Sequence, residues 1–384
     1  MDIKEKALKM HEKWNGKLEI TAKAKVNSRE DLSIAYTPGV AEPCKAIHED
    51  PEKAYLYTIK RNAVAVVSDG SAVLGLGNIG PEAAMPVMEG KAVLFKEFAG
   101  IDAIPICLDT QETDEIIKTV SYLAPTFGGI NLEDISAPRC FEIENALKEK
   151  LDIPVFHDDQ HGTAIVVLAG IINALRLIKK EKSDLKVVVN GAGSAGIAIS
   201  KLLQFYGIND LILCDRDGIL SGDKNINWAQ KEILQSTNPR GVEGGLKEAL
   251  KGADIFIGVS AANIVSKAMV QNMNEDAILF AMANPVPEIM PDAAKEAGAR
   301  IVGTGRSDFP NQVNNVLAFP GIFKGALEAR TQITDEMKVA AAEAIASMVS
   351  ADQLHEDCIL PQPFEKGIAD EVAKAIVQCA YQGK

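Results

Sequence analysis

Leu185-Lys-Val-Val-Val-Asn190 and the directly following Gly191-Ala-Gly-Ser-Ala-Gly196 form the strongest structural signal in this chain. An apolar, β-branched run enters a G-x-G-x-x-G turn, and a helix-forming segment at 197–205 follows, which is the order found in dinucleotide-binding folds. The first glycine permits a tight turn, the second lets the backbone approach a pyrophosphate, and the third lets helix and strand pack closely. The residues expected to contact the dinucleotide are Gly191, Ala192, Gly193, Ser194, Ala195 and Gly196.

The acidic residue Asp215 ends the next apolar run, about 20 residues beyond the glycine turn. A carboxylate at this position accepts a hydrogen bond from the free ribose 2′-hydroxyl of NAD, and it repels the 2′-phosphate of NADP. Arg216 and Lys224 follow and could pair with such a phosphate. We therefore expect NAD as the cofactor, with NADP as the alternative.

Short apolar runs alternate with helical segments along the whole chain. The predicted helices of the first half lie at 81–98, 113–123 and 138–151. The predicted strands lie at 63–69, 103–109, 129–133, 154–157, 185–190, 211–215, 254–259, 277–283 and 300–303. This alternation predicts parallel sheets covered by helices, so the fold class is α/β. An alanine-rich tail at 331–382 is predicted to form helices that pack back on the body.

Two acidic pairs, Glu133-Asp134 and Asp158-Asp159, end predicted strands. The carboxyl ends of parallel strands meet at one edge of a sheet, where ligands bind. Carboxylates gathered there repel one another unless a cation joins them, and oxygen ligands suit Mg²⁺ or Mn²⁺. Either pair alone could instead consist of helix caps and solvated acids. His157 and His161 have the spacing of a zinc site, although packed or capping histidines are the simpler interpretation.

Lys91 lies in an otherwise apolar helical segment, directly after Gly90, which would let another group approach closely. A lysine on an apolar face often extends its amine to solvent, whereas a desolvated lysine near a cation has a lowered pKa and can act as a base. Tyr36 lies in a turn-rich loop at 35–40. On its own it would be interpreted as an ordinary half-buried tyrosine.

A second glycine motif, Gly75-Leu-Gly-Asn-Ile-Gly80, also matches G-x-G-x-x-G, and Asp102 follows at a plausible distance. This motif does not follow its strand directly, because the segment 68–71 has the pattern of a turn. Pro81 indicates that the helix begins only after the third glycine. We interpret this motif as a tight loop lining a cleft rather than as a dinucleotide site.

Length and charge narrow the function classes. A chain of 384 residues favours two domains, and a formal net charge of −13 argues against a nucleic-acid or anionic-membrane partner. The charged N-terminus lacks the apolar core of a signal peptide, and the longest apolar run, at 164–172, is too short to span a bilayer. The six cysteines contain no C-x-x-C pair, and several lie in apolar runs, which predicts reduced, mostly buried thiols. We expect a cytoplasmic protein.

An ordered series of segments resembles the malic enzymes, in the short form found in bacteria, from about residue 33 to about residue 321. The segments are AYTPGV at 35–40, SDG at 68–70, GLGNIG at 75–80, GKA at 90–92, NLED at 131–134, FHDDQHGTA at 156–164, GAGSAG at 191–196, ANP at 283–285 and NQVNNV at 311–316. The resemblance implies oxidative decarboxylation of malate to pyruvate and CO₂ with reduction of NAD(P). It also implies a homodimer or a higher homo-oligomer.

The resemblance also assigns roles to residues. It implies that Mg²⁺ or Mn²⁺ is held by Glu133, Asp134 and Asp159. It implies that Lys91 is the general base and contacts substrate, that Tyr36 is the general acid, and that Asp158 is the acid beside the metal. Finally, it implies that the cofactor and the substrate are contacted by Asn284, Asn314 and Asn315.

One departure from the family pattern concerns the substrate carboxylate. Larger members carry an arginine in the loop before the first glycine motif, whereas this chain has Ser-Ala-Val at 71–73. Arg139 and the backbone amides of the loop at 75–80 are the candidate replacements. On the domain level, we expect an α/β substrate- and metal-binding domain at residues 1–158. A Rossmann-like dinucleotide-binding domain with the helical tail is expected at residues 159–384.

Three other functions use some of the same groups. A metal-dependent oxaloacetate decarboxylase would need the cation without net redox, and the intact dinucleotide motif argues against it. A dinucleotide-sensing module without catalysis would not need Tyr36, Lys91 and the acids. An amino-acid dehydrogenase also pairs a catalytic lysine with such a domain, but it would not need the acidic residues.

Overall fold

The computed structural model describes residues 2–73 and 75–382, and within them parallel sheets are covered by helices. The α/β fold class predicted from the alternating pattern is confirmed. The first half of the chain contains the helices α1 (Ile3–Trp14), α2 (Arg29–Ala35), α3 (Ala41–Glu49), α4 (Ala54–Tyr57), α5 (Pro81–Ala99), α6 (Thr113–Leu123) and α7 (Arg139–Lys150). Its strands are β1 (Ala63–Ser68), β2 (Asp102–Cys107), β3 (Gly129–Leu132) and β4 (Val155–His157).

These four strands form one parallel sheet in the order β2-β1-β3-β4. Strand β1 is buried along its whole length, which explains why its sequence is continuously apolar rather than alternating. The register places Leu132, the last residue of β3, beside His157, the last residue of β4. The residues that directly follow β3 and β4 therefore lie close together at one edge of the sheet.

The second half contains a six-stranded sheet. Its helices are α8 (Asp158–Ile178), α9 (Ser194–Tyr206), α10 (Trp228–Leu234), α11 (Leu246–Leu250), α12 (Lys267–Val270), α13 (Pro291–Glu296), α14 (Phe319–Ala329), α15 (Asp335–Ser347) and α16 (Ile368–Gln382). Its strands are β5 (Lys186–Asn190), β6 (Asp210–Asp215), β7 (Gly218–Ile219), β8 (Ile255–Gly258), β9 (Ile278–Ala281) and β10 (Ile301–Thr304). Short 3₁₀ turns elsewhere cover Pro51–Lys53, Ile59–Arg61, Lys182–Asp184 and Asn315–Leu317.

The order of this sheet is β10-β9-β8-β5-β6-β7, parallel except for β7. From β5 the chain moves to β6 on one side, and β8 then lies on the other side. The strand order thus reverses between β5 and β8, and ligands bind at such a switch point, beyond the carboxyl ends of the strands. The glycine turn leaves β5 at this place, as expected for a Rossmann-like domain. The two-residue antiparallel strand β7 had no signal in the sequence.

Helix α8 is the longest helix in the described residues and packs against α9 and α15. By length and composition it could cross a membrane, since it extends well beyond the apolar run at 164–172. Two thirds of its most apolar window is buried inside the protein, however, which is typical of a core helix. The domain boundary expected at residue 158 falls in its first turn and not in a linker.

The two halves share one apolar core. Phe319 and Phe323 on α14 pack edge-to-face against Phe95 on α5, with ring centroids 4.7 Å and 5.3 Å away. Phe323 also contacts Phe156 on β4 at 5.8 Å. The alanine-rich tail packs back on the body as predicted, with α15 against α8 and α16 against α14. All six cysteines are free thiols. Only Cys140 and Cys214 are buried, so the expectation that most of the cysteines are buried is wrong.

The first 61 described residues differ from the rest of the molecule. None of residues 2–62, which we call the N-terminal arm, is buried. Its helices α1 to α4 were not predicted from the sequence. Large apolar side chains are nevertheless exposed along it: Ile3, Leu8, Trp14, Leu18, Ile20, Val26, Leu32, Ile34, Tyr36, Val40, Leu56, Tyr57 and Ile59. An apolar surface of this extent is typical of an interaction site.

Candidate active site

The acidic residues predicted as metal ligands lie together at the edge of the first sheet. Glu133 and Asp134 follow β3, and Asp159 lies in the first turn of α8, which follows β4 directly. One carboxylate oxygen of each residue lies within 4.8 Å of those of the other two. The backbone N–H of Asp134 donates to Oδ2 of Asp159 over 2.8 Å, and Asp134 has a left-handed backbone with φ of 54°. Such strain in a residue without a glycine's freedom is common at ligand sites.

The electrostatics of this acidic triplet fit a divalent cation. Burial, with the nearby charge of Asp159, raises the pKa of Asp134 to about 8. Burial also raises the pKa of Glu133 well above its usual value, although Lys91 opposes the shift. Oδ2 of Asp134 is buried without a hydrogen-bond partner among the described residues. A divalent cation would give this atom a partner and would favour the ionised form of both carboxyl groups, which lowers both pKa values.

Lys91, on α5, points into the same cluster and is only 7% exposed. Its Nζ lies 2.5 Å from Oδ2 of Asp158 and 2.9 Å from Oε1 of Glu133. Nζ also lies 4.2 Å from the ring centroid of Phe319. Burial alone would lower the pKa of Lys91, but the carboxylates of Asp158 and Glu133 outweigh burial and raise it. The amine of Lys91 does not reach solvent. Its pKa is raised, whereas desolvation alone was expected to lower it.

Asp158 is held on two sides. Nδ2 of Asn315 donates to its Oδ2, and Nζ of Lys91 reaches the same oxygen. A Cβ on Gly162, one turn along α8, would lie 2.0 Å from Oδ1 of Asp158, so only glycine leaves room for this carboxylate. At Gly90, by contrast, a Cβ would meet no atom of the described residues within 4 Å, so the close approach expected there is wrong.

The two neighbouring asparagines differ in their environment. Asn315 contacts the acidic cluster through Asp158. The side-chain oxygen of Asn314 accepts a hydrogen bond from the backbone of Val316 at 3.0 Å, so it caps the short 3₁₀ turn. Asn284 is exposed after β9, and its backbone oxygen lies 3.9 Å from where a Cβ on Gly75 would be. The Asn284 loop therefore faces the glycine loop of the first half.

The second glycine motif forms a loop, and α5 begins only at Pro81, as predicted. Asp102 lies at the start of β2, where it accepts from Lys96 over 2.7 Å, so it is not the ribose partner of this motif. Arg139 donates to the buried Asp69 over 2.9 Å and to Ser71 over 3.0 Å. Its guanidinium is thus already engaged in holding the preceding loop, which weakens the suggestion that it binds a substrate carboxylate.

The histidines do not form a metal site in the described residues. Nε2 of His161 lies 2.9 Å from both carboxylate oxygens of Glu144. Burial lowers the pKa of His161 to about 4, so its ring is neutral at pH 7. Nδ1 of His157 lies 3.9 Å from Oδ2 of Asp159, and its ring is fully buried. The three side chains that lie close enough together to hold a metal ion are all carboxylates, which argues against zinc.

The predicted dinucleotide turn lines a cavity of about 960 Å³ at the switch point of the second sheet. Gly191 has φ of 113°, and a Cβ on it would lie 2.5 Å from the backbone oxygen of Val259. A Cβ on Gly196 would lie 1.8 Å from the backbone oxygen of Gly191. Helix α9 begins at Ser194, so its N-terminal amides lie beside the cavity. The cavity wall also includes Ala192, Gly193 and Asp215.

Asp215 ends β6 at the rim of this cavity. Its Oδ1 accepts from the backbone N–H of Arg216 over 2.8 Å, and its Oδ2 accepts from Nε2 of Gln230 over 3.0 Å. The side chain of Arg216 is 90% exposed, and Nζ of Lys224 donates to backbone oxygens at 2.6 Å and 2.7 Å. Sequence reasoning missed Gln230, although the Asn227-x-x-Gln230 pattern of a capping box was visible.

Tyr36 is not part of the buried cluster. It lies on the N-terminal arm at the end of α2, and it is 68% exposed. Among the described residues its side chain has no hydrogen bond to the Lys91 cluster. The other residues proposed for proton transfer, Lys91 and Asp158, are buried together.

Known proteins share both halves of this architecture. The N-terminal domain of malic enzymes matches residues 15–148, and the NAD-binding domain of malic enzymes matches residues 160–381. The bifunctional malic/malolactic enzyme of Bacillus subtilis is 60% identical over the whole of this chain and 94% of that protein. The NAD-dependent malic enzyme of Geobacillus stearothermophilus is 57% identical, over the whole chain and 80% of that protein.

Solved structures agree with the sequence comparisons. The crystal structure of the NAD-dependent malic enzyme from Thermotoga maritima has a TM-score of 0.94 and 52% sequence identity, and covers 97% of this chain and 98% of that one. The malic enzyme of Pyrococcus horikoshii also has a TM-score of 0.94, with 49% identity over the whole chain and 91% of that one. Both domains, their order and their folds are accounted for, and the chain belongs to the malic enzyme family.

Proposed function

We propose that this protein is an NAD(P)-dependent malic enzyme, which converts malate to pyruvate and CO₂ and reduces the cofactor. The observation that carries the proposal is the buried lysine–carboxylate cluster, in which Lys91 lies 2.5 Å from Asp158 and 2.9 Å from Glu133. This cluster and a dinucleotide cavity occur in one chain. An oxaloacetate decarboxylase without redox chemistry would not use the cavity, and nothing observed favours that alternative.

We propose Glu133, Asp134 and Asp159 as the ligands of Mg²⁺ or Mn²⁺, because their carboxylates converge and because burial raises the pKa values of the first two. When bound, the cation would supply a Lewis acid for the C2 oxygen of the substrate and the nicotinamide would supply the hydride acceptor. The protein's own task is to bind and orient malate and to move protons.

Lys91 is the proposed base for the C2 hydroxyl. In the metal-free protein two carboxylates raise its pKa, and it is a cation. A divalent cation bound by Glu133 would offset the negative charge of that carboxylate and place a positive charge near Lys91. Both effects would lower the pKa of Lys91. Asp158 then keeps the amine in position through its 2.5 Å contact, while Asn315 holds Asp158.

The overall reaction conserves protons. Malate loses a hydride to the cofactor and its C4 carboxylate as CO₂, and the proton removed from the C2 hydroxyl is matched by one delivered to C3 of the product. A second proton-transfer group is therefore needed on the C3 side. The family resemblance makes Tyr36 this proposed general acid, and its phenol is the right kind of group.

We propose that the protein acts as a dimer or a higher homo-oligomer, in which the N-terminal arm is covered by a second copy. The arm exposes many large apolar side chains, and Tyr36, which the reaction needs near Lys91, lies on it with 68% exposure. Docking of the arm on a second subunit would bury these side chains and bring Tyr36 to a partner's site. Each active site would then be built from two chains.

For the cofactor we propose contacts from the glycine turn at 191–196 and from Asp215 and Asn284, with NAD preferred over NADP. The carboxylate of Asp215 at the cavity rim and the outward position of the Arg216 side chain support this preference. Asn314 is retained as a proposed substrate contact from the resemblance alone. We also propose domains at residues 1–158 and 159–384, and a cytoplasmic location.

The test is a steady-state assay of malate with each dinucleotide, with and without Mn²⁺. We expect NADH formation that depends on malate and on the cation, with equal amounts of pyruvate. Lys91→Ala should reduce kcat by roughly two to four orders of magnitude, the usual scale for a proton-transfer group. No malate-dependent reduction of either cofactor would exclude the proposed function, and near-normal kcat in a folded Lys91→Ala variant would exclude the base assignment.

One observation favours a second activity. The relative with 60% identity is named a bifunctional malic/malolactic enzyme. In a malolactic reaction malate takes up one proton and yields lactate and CO₂ without net redox, because the pyruvate formed is reduced again by the NADH formed with it. We propose this as a side activity, which is tested by measuring lactate from malate in the presence of catalytic amounts of NAD. Pyruvate as the sole organic product would exclude it.

A further inference from the structure

Gln230, on α10, bridges the two parts of the dinucleotide site. Its side chain is mostly buried, with 8% of the residue exposed. The two N–H groups of its amide donate to the backbone oxygen of Ala192, in the glycine turn, and to Oδ2 of Asp215, at the end of β6, each over 3.0 Å. One side chain thus connects the phosphate-side turn to the acid at the ribose position.

The orientation of this amide is itself fixed. Its Oε1 accepts from the backbone N–H of Asn227 over 3.0 Å, and the Asn227 side chain accepts from the backbone of Gln230 over 3.0 Å. This reciprocal capping box begins α10. Both N–H groups and the oxygen of the side-chain amide are therefore hydrogen-bonded, and these bonds fix which N–H group points at Asp215. Turning the amide over would break all three hydrogen bonds.

The carboxylate of Asp215 is therefore held by two neutral donors, Gln230 and the backbone N–H of Arg216. No cationic side chain among the described residues forms an ion pair with it. Each oxygen keeps lone-pair capacity for a ribose hydroxyl, and the negative charge stays uncompensated against a 2′-phosphate.

We propose that Gln230 is a positioning residue for cofactor choice: it orients the Asp215 carboxylate so that the site accepts a free ribose 2′-hydroxyl and rejects a 2′-phosphate. The inference rests on the proposed role of Asp215. A capping residue that only begins α10 would change the stability of the protein, whereas a positioning residue changes the ratio of affinities for two ligands that differ by one phosphate.

The experiment measures binding to the full-length protein by calorimetry, with ADP-ribose and with its 2′-phosphate as probes. Gln230→Met keeps the side-chain length and removes both donors. We expect it to weaken ADP-ribose binding by about tenfold, on the scale of a hydrogen bond to a charged group, and to change binding of the 2′-phosphate much less. The kcat/KM ratio of NAD to NADP should fall by a similar factor, with kcat little changed.

Gln204→Met is the matched control, because Gln204 also donates from its amide to a backbone oxygen, that of Ser236, but does not contact Asp215. Gln204→Met should leave the ratio of the affinities for ADP-ribose and its 2′-phosphate unchanged. If Gln230→Met does not fold, Gln230→Asn provides a second test, because it moves the amide away from Asp215 by one methylene. It should also lower the preference for ADP-ribose over its 2′-phosphate. Equal weakening of both probes by a folded Gln230 variant would overturn the proposal.

Asp215→Ala separates this inference from the function on which it rests. An unchanged probe ratio in Asp215→Ala would overturn the proposed ribose contact, and the role of Gln230 with it. A changed ratio in Asp215→Ala with none in Gln230→Met would overturn only the positioning role. In the Asp215→Ala background, Gln230→Met should have no further effect on the ratio, and an additive effect would show that Gln230 does not act through Asp215.

Discussion

The exposed position of Tyr36 leads to a complementation experiment with two inactive variants. Tyr36→Phe and Lys91→Ala each remove one proton-transfer group, and each homo-oligomer should keep about 1% of wild-type activity or less. If Tyr36 serves the site of its neighbour, a dimer made of one subunit of each kind has one site with both defects and one site with neither. Mixing two inactive proteins should then restore activity.

The expected recovery follows from the arrangement of the arm. Random exchange at equal concentrations gives about half hybrid dimers, and one of the two sites in each hybrid is intact, so about a quarter of the wild-type activity should return. That is at least about 25 times the activity of either variant alone. If Tyr36 served its own chain, every site in the mixture would carry one defect and no activity would return.

The assay is NADH formation from malate after the two variants, carrying different tags, are refolded together and hybrids are isolated through both tags. A mixture of Lys91→Ala and Asp134→Asn is the matched control, because both residues lie in the cluster of one chain and hybrids should remain inactive. Isolated hybrids of the first pair without recovered activity would refute the shared site. A monomeric wild-type protein in light scattering at micromolar concentration would refute it as well.

Three further predictions concern the metal, the helix α8 and a buried glutamate. Exhaustive chelation should abolish malate oxidation, and Mn²⁺ or Mg²⁺ should restore it; full activity after EDTA treatment would contradict the acidic metal site. Gly162→Ala should lower kcat by about tenfold or more, because its methyl group would lie 2.0 Å from Oδ1 of Asp158, while the control Gly90→Ala should be nearly neutral. Equal kinetics for the two glycine variants would argue against this packing. Glu144→Gln should cost about 1–3 kcal/mol of unfolding free energy, since Glu144 accepts from His161 and Lys148. Burial would raise the pKa of Glu144, but these partners hold it well below its usual value, so the stabilisation is present at neutral pH and lost as pH falls below about 4.3. Thermal melts of both proteins should therefore converge in acid, and a gap independent of pH would contradict the assignment.

Much of the fold could be predicted from the sequence because most of its strands are parallel and buried. Strand β1 was predicted at 63–69 and observed at Ala63–Ser68, and β5 was predicted at 185–190 and observed at Lys186–Asn190. Continuous apolar runs bounded by turn residues mark such strands clearly. The N-terminal arm was missed, because α1 is rich in charged residues and none of residues 2–62 is buried in one chain.

The candidate site was predicted in part. Adjacency at strand ends was enough to bring Glu133 and Asp134 near Asp159, since the sheet register fixes their distance. The contact of Lys91 with Asp158 joins positions 67 residues apart, and only the packing of α5 against the first sheet creates it. The hydrogen bond from Arg139 to Asp69 also joins residues far apart in the sequence, so the local sequence pattern could not predict it.

Helix α8 has a consequence for how ligands influence one another. Its first turn carries Asp158 and Asp159, and its body, about 30 Å long, packs against α9, the helix behind the glycine turn. A well-packed helix moves as a unit, so a cation at its N-terminus and a pyrophosphate at α9 act on the same pair of helices. Thermodynamic reciprocity then requires that if the dinucleotide raises the affinity for the cation by some factor, the cation raises the affinity for the dinucleotide by the same factor.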